Sequence, residues 1–186
     1  MAKDRKIDMV ILGLLSHEDM TGYDIKKKID GQIRFFWKGS FGSIYPALNE
    51  MMKLGQIEKI PEEENKEKKG NREKINYRIT DKGRKALTTW QSDTKMSNEL
   101  KYEILLKLFF GGSVSHEVSI RNIEIFEEEI KEDLEILKIY RNNLEAVLDE
   151  KDHLYFYLTT EFGIDTYEGY LKWCTKAKKL LKGKCK

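Results

Sequence analysis

Apolar and polar positions divide the chain into segments of different period. Residues 7–15 (IDMVILGLL) are almost wholly apolar and end at Ser16-His17-Glu18-Asp19, which predicts a short core helix. Thr21-Gly22-Tyr23-Asp24 has the spacing of a capping box, with a hydroxyl and a carboxylate three residues apart. It opens a second helix through about Ile29, with Gly31 suited to end it. Ile44, Leu48, Met51 and Met52 share one face of a third helix that closes at Gly55. Pro46 is tolerated in a first turn, which favours Ser43 as N-cap; a start at Ser40 puts it in the second turn, and both starts remain open.

The period then changes. Gln56–Ile60 and Ile75–Ile79 alternate apolar with polar, as half-buried strands do. Residues 61–74 between them are nearly all charged, so a hairpin with a long polar tip is expected. Thr80-Asp81 caps a further helix carrying Ala86, Leu87 and Trp90. The order helix, helix, helix, strand, charged loop, strand, helix is that of a winged helix-turn-helix.

From residue 96 onward the chain reads as helix. Residues 99–110 place Tyr102, Leu105, Leu106 and Phe109 at i, i+3, i+4 and i+7, ending at Gly111-Gly112. Residues 115–148 carry one long stripe, including Ile123, Phe126, Ile130, Leu134, Leu137, Tyr140, Leu144 and Leu148, with no proline. A last helix, about residues 153–181, holds Tyr155, Phe156, Phe162, Tyr167, Tyr170 and Trp173 before a basic tail. The expected fold is therefore mainly α with a small two-stranded β wing: a winged-helix domain over residues 1–95 and a helical domain over residues 96–186.

A stripe on a helix of more than thirty residues is too long for a small domain to cover, so a partner helix from a second copy is expected. Tyr102, Leu105, Phe109, Phe126, Ile130, Leu137, Leu144 and Trp173 are the residues assigned to that dimer interface. The acidic stretch from Glu124 to Glu135 is placed opposite the basic tail from Lys176, within or between subunits.

Charge sharpens the division. The 186-residue chain has a net charge of +2, but residues 1–96 hold 20 Lys and Arg against 15 Asp and Glu, and residues 97–186 hold 14 against 17. The basic half is the one to examine for a polyanion partner. In a helix-turn-helix the second helix enters the major groove while the first crosses the backbone. On the outward face of that second helix stand Ser43, Tyr45, Asn49 and Lys53, hydroxyl, amide and ammonium groups fit for base edges and phosphates. Lys66, Lys68, Lys69, Arg72 and Lys74 cluster on the hairpin tip, beside the acidic Glu62, Glu63, Glu64 and Glu67.

Other chemistries lack their residues. Cys174 and Cys185 lie eleven residues apart on one predicted helix, about 16 Å of rise and beyond disulfide reach. His17, His116 and His153 are scattered, and no phosphate-binding glycine loop is present, so no metal, cofactor or catalysis is expected. No segment approaches about 18 apolar residues and residues 1–6 lack a signal peptide's apolar core, so a cytoplasmic location is expected.

Five segments in this order and spacing resemble the PadR family of bacterial transcription regulators: 11–15 (ILGLL), 22–25 (GYDI), 42–48 (GSIYPAL), 54–57 (LGQI) and 77–83 (YRITDKG). The second and third are the specific ones. The resemblance implies a homodimer that binds an inverted-repeat operator in double-stranded DNA, usually as a repressor, released by a small aromatic or hydrophobic effector. It places Tyr23, Ser43, Tyr45, Pro46 and Asn49 in the DNA-facing head and Lys69 and Arg72 in the wing; Ser40, Lys53 and Lys68 complete the candidate DNA-binding set. Trp90, Phe109, Phe162 and Tyr170 are candidates for an effector site. The rival reading is a winged-helix module used for protein–protein contact alone.

Overall fold

The computed structural model describes residues 6–37, 41–60, 75–96, 98 and 101–183. It divides into two units, Met1–Ser97 and Asn98–Lys186. In the first, the order is α1 (Lys6–Leu15), β1 (Met20–Thr21), α2 (Gly22–Lys28), α3 (Ile44–Lys53), β2 (Ile57–Lys59), β3 (Asn76–Ile79) and α4 (Asp81–Ser92). The core forms where α1 and α3 lay Ile11, Leu12, Leu15, Ile44, Leu48 and Met51 against Ile25 of α2, Tyr77 and Ile79 of β3 and Leu87 of α4. This is a winged helix-turn-helix. Among the described residues no helix is long and apolar enough to cross a membrane.

The sheet has three antiparallel strands, not two, in the order β1-β3-β2. Two-residue β1 is the addition: Met20 pairs with Tyr77 and Thr21 with Asn76. The next residues form the expected capping box, in which the Thr21 hydroxyl accepts from the Asp24 N–H at 3.1 Å and the Asp24 carboxylate accepts from the Thr21 N–H at 3.3 Å. The start of α2 is thus held by the sheet on one side and by its own cap on the other.

Gly31 does not end this helix. The backbone continues as one π-helical stretch, Ile29–Ile33, closed by the Arg34 N–H donating to the Ile29 carbonyl. Burial of Ile29 and the packing of Ile33 and Trp37 on the core reward the continued turn. At the third helix the structure selects Ser43 as N-cap, so Pro46 falls in the first turn, where its missing N–H costs nothing. Gly55 ends α3 at φ +66°, with the Gly55 N–H donating to Met52 and the Gln56 N–H to Met51, the two bonds of a Schellman cap.

Helix α4 begins at Thr80, whose hydroxyl accepts from the Gly83 N–H and donates to the Gly55 carbonyl at 2.8 Å. This cap draws α4 onto the end of α3. A Cβ built on Gly83 lies 2.2 Å from the Gln56 carbonyl oxygen and 2.8 Å from Ile79 Cγ1. Only a glycine allows that approach.

The second unit contains α5 (Glu103–Phe109), α6 (His116–Glu145) and α7 (His153–Gly183). Contacts between α6 and α7 run antiparallel: Phe126 meets Trp173, Asp133 meets Tyr167, and Leu137 packs on Gly163. The apolar stripe of α6 is therefore covered by α7 of the same chain. Ile130 and Leu137, assigned to a dimer interface, are buried inside one protomer, and the partner argued from helix length is already present in the chain. In α5 Ile104 is buried and Leu108 packs inward, while Leu105, Leu106 and Phe109 are exposed.

Lys178 of α7 donates to Glu127 of α6 at 2.6 Å, with both side chains largely covered. One residue of the acidic stretch thus meets one of the basic tail within a protomer. The hydrogen bond from Lys178 holds the Glu127 carboxyl below its ordinary range, and the same bond raises the Lys178 ammonium.

Two outcomes test this packing. Gly83→Ala forces a Cβ onto a backbone oxygen and should cost about 3 kcal/mol in urea unfolding. Gly13→Ala, in the open interior of α1, should instead add about 0.5–1 kcal/mol. For the ion pair the pH window is set by both shifts. Glu127, lowered in the folded state, stabilises above the unfolded carboxylate value of about 4.3 and ceases to as pH falls through its folded pKa. Lys178, raised, stabilises below about 10.4 and ceases to as pH rises through its folded pKa. Thermal unfolding of Lys178→Met should therefore fall short of wild type at pH 7, with a gap that narrows toward pH 3. A gap independent of pH would assign the loss to the lysine's methylenes.

Candidate nucleic-acid interface

Helix α3 presents two chemically distinct faces because its inner one is so completely used. Ile44, Ala47, Leu48 and Met51 are at most 2% exposed, which fixes the helix in rotation and sends Tyr45, Pro46, Asn49 and Lys53 outward. Tyr45 is 59% exposed. Ser43 is half-buried at the N-cap, and Lys53 bridges to Glu50 one turn back at 3.3 Å. Glu50 thus shares the outward surface and tempers the charge of Lys53.

Helix α2 lies beside it. Tyr23 on its first turn is 68% exposed, and Lys26 and Lys27 are exposed further along. Lys28 pairs with Glu18 at 3.3 Å. Lys26 and Lys27 belong to the candidate site although they were not among the expected residues. Their signal was the Lys26-Lys27-Lys28 run on the helix that crosses the backbone in this motif. The Tyr45 ring rests on the first turn of α2, where a Cβ on Gly22 would stand 2.9 Å from Tyr45 Cε1. Burial pushes the Tyr77 phenol of β3 above its ordinary value, and the neighbouring Tyr45 adds to that rise.

The structure therefore brings Tyr23, Ser43, Tyr45, Pro46, Asn49 and Lys53 to one helix pair. Ser40, Lys68, Lys69 and Arg72 lie outside the described residues, as does the whole hairpin tip. What does flank the tip is described: β2 and β3 pair from Ile57↔Ile79 to Lys59↔Tyr77, and the Ile60 N–H donates to the Asn76 carbonyl. Arg78 on β3 forms a two-pronged bridge to Asp19, 2.8 Å at its shortest, which ties the sheet to the α1–β1 connection.

In the second unit the expected aromatic residues separate. Tyr102, Phe126, Tyr170 and Trp173 form one cluster with edge-on rings, and the Tyr102 and Tyr170 hydroxyls share a 2.5 Å hydrogen bond. Burial, then the bond from Tyr102, pushes the Tyr170 phenol well above its ordinary value. Burial likewise raises the Cys174 thiol beside it in the core. Phe109 and Phe162 are not in this cluster; both are exposed, at 82% and 68%. Trp90 is exposed on α4 of the first unit, and Leu144 is half-buried on α6. Among the described residues no group of His, Cys, Asp and Glu is spaced to hold a metal ion.

A helix with a polar outward face, a lysine-bearing helix packed beside it and a hairpin after them define a winged helix-turn-helix protein. Residues 11–89 match the transcriptional regulator PadR-like family, and residues 100–182 match the virulence activator alpha C-term family. Residues 11–89 of the first unit thus carry the PadR-like transcriptional regulator domain. The negative transcriptional regulator PadR of Bacillus subtilis (strain 168) is 23% identical over 177 residues, 91% of this chain and 93% of that one. The crystal structure of Bacillus subtilis PadR in complex with operator DNA aligns at a TM-score of 0.77 with 24% identity, covering 95% and 99% of the two chains. Its complex with p-coumaric acid aligns at 0.72 with 24% identity, covering 96% and 99%. The Vibrio cholerae virulence activator AphA aligns at 0.70 with 26% identity, covering 95% and 98%.

Proposed function

We propose that the protein is a cytoplasmic, homodimeric repressor that binds a pseudo-palindromic operator through α2 and α3 and is released by a small aromatic effector. The observation that carries the DNA reading is the outward face of α3, where Tyr45 and Asn49 stand exposed on a helix whose other face is fully buried. Asn is suited to the N6/N7 edge of adenine, and the Tyr45 hydroxyl to a base edge or phosphate. Lys26, Lys27 and Lys53 supply backbone contacts, joined in this reading by Ser40, Lys68, Lys69 and Arg72. The operator complex of the Bacillus subtilis relative supports it.

The homodimer keeps Leu105 and Phe109 of the expected interface and replaces the buried Ile130 and Leu137 with residues of α7. Helix α7 turns Thr160, Gly163, Ile164, Tyr167 and Cys174 inward, yet its opposite face carries Leu154, Tyr155, Leu158 and Phe162, each at least half exposed. A helix apolar on both sides in its first half is built to be covered twice. Leu105, Leu106 and Phe109 of α5 add further exposed apolar side chains. Two copies joined through this unit carry two reading heads, which calls for half-sites about 34–36 Å apart. The effector reading rests on the Tyr102–Tyr170 cluster, and the p-coumaric acid complex of the relative supports it.

Footprinting of genomic DNA with the purified protein gives the bound duplex, and fluorescence anisotropy on it tests the reading. Tyr45→Ala and Asn49→Ala should each weaken binding by about 1–3 kcal/mol. Wild-type affinity in both would remove α3 from the interface, and no binding even at low salt would leave the protein-contact alternative. Adding p-coumaric acid to the preformed complex should release the duplex; an unchanged affinity removes that effector. For the dimer, Leu158→Glu with Phe162→Glu should convert the sedimenting species to a monomer of unchanged helicity, and a persistent dimer would place the interface elsewhere.

A further inference from the structure

The reading helix owes the position of its most exposed aromatic to a residue on another helix. Tyr45 stands on the second position of α3 and is 59% exposed. The support comes from Gly22, the buried first residue of α2. A Cβ there would lie 2.9 Å from Tyr45 Cε1, 3.2 Å from Tyr45 Cζ and 3.3 Å from Leu48 Cδ1. The first of these is closer than a Cβ tolerates, and it falls on the phenol end of the ring. The ring therefore lies in a slot whose floor is the bare backbone of Gly22.

The slot does not give way. Immediately before Gly22, Thr21 pairs with Asn76 of β3 and closes the capping box with Asp24. On the core side, Leu48, whose Cδ1 would lie 3.3 Å from that Cβ, is fully buried. With backbone fixed on one side and core on the other, a side chain at position 22 can be accommodated only by moving the ring, which is the one mobile element of the three.

We propose that Gly22 is a specificity-determining positioning residue: its missing side chain forms the slot that docks the Tyr45 ring and aims the phenol for DNA reading. This rests on the assignment of Tyr45 to the DNA-reading face. A methyl group at position 22 displaces the ring outward and spoils the contact without touching DNA. It should cost little in folding, since alanine is the better helix former and the atom displaced is the free end of a side chain.

The test is a double-substitution cycle read by anisotropy on the footprinted duplex and on a scrambled duplex of the same composition. Gly22→Ala should raise Kd for the footprinted duplex about tenfold and leave the scrambled one within about twofold. In the Tyr45→Ala background, where the slot is empty, the same change should add less than about twofold. Equal losses in both backgrounds, equal losses on both duplexes, or wild-type affinity for Gly22→Ala would each overturn the proposal. If Tyr45→Ala binds as wild type, the reading of Tyr45 falls and this role with it; if Tyr45→Ala is impaired and Gly22→Ala is not, only the role of Gly22 falls. Should Gly22→Ala alone unfold, the double variant must recover the thermal midpoint of Tyr45→Ala, and a failure to recover it counts against the slot.

Discussion

Everything the first unit offers to a partner depends on the burial of one face of α3. Ile44, Ala47, Leu48 and Met51 are withdrawn from water almost completely, and each large side chain among them stabilises by about 1.5–3 kcal/mol. Turning the helix by one residue, about 100°, would carry these side chains toward water and break that packing. The helix is thus locked in rotation by its core side, and the chemistry of its outer side follows without a separate mechanism. The same constraint launches the wing. Because α3 ends in the two bonds of a Schellman cap at Gly55, the chain leaves it directly into β2, and Thr80 closes the far end of the hairpin on that same glycine's carbonyl.

What could be read from the sequence was what is encoded locally. The capping box at Thr21 and Asp24, the glycine after α3 and the alternation of buried Tyr77 and Ile79 with Asn76 and Arg78 all specify their structure within a few residues. So did the outward set Tyr45, Asn49 and Lys53, which is the complement of the buried periodicity. Features decided by distant partners were not legible. Strand β1 is two residues long, too short to alternate, and exists because β3 more than fifty positions later offers it an edge. Gly31 carries an end signal that the core overrides through Ile33 and Trp37. In α5 nearly every position from Ile104 to Phe110 is apolar, so spacing could not choose which side to bury.

The second unit shows the limit of periodicity most clearly. A stripe on α6 announces that something covers it, but not whether the cover comes from the same chain. Here α7 supplies it, with the Glu127–Lys178 bond and the Tyr102–Tyr170 pair at one end of the hairpin. Yet α7 is apolar on its far side as well, where Leu154, Tyr155, Leu158 and Phe162 stand exposed while Ile130 and Leu137 are buried.

Two glycines illustrate how one geometric fact divides into stability and function. At both Gly83 and Gly22 two elements approach more closely than a Cβ permits. What differs is the atom that a Cβ would meet. At Gly83 it is a backbone oxygen of the β2 approach, anchored by the Thr80 N–H, so a side chain there must move the scaffold. At Gly22 the nearest atom is the free end of an exposed phenol, so a side chain there presses first on the ring. The first position bears on whether the domain holds together, and the second on where the Tyr45 ring lies, because one nearest neighbour is fixed and the other is free.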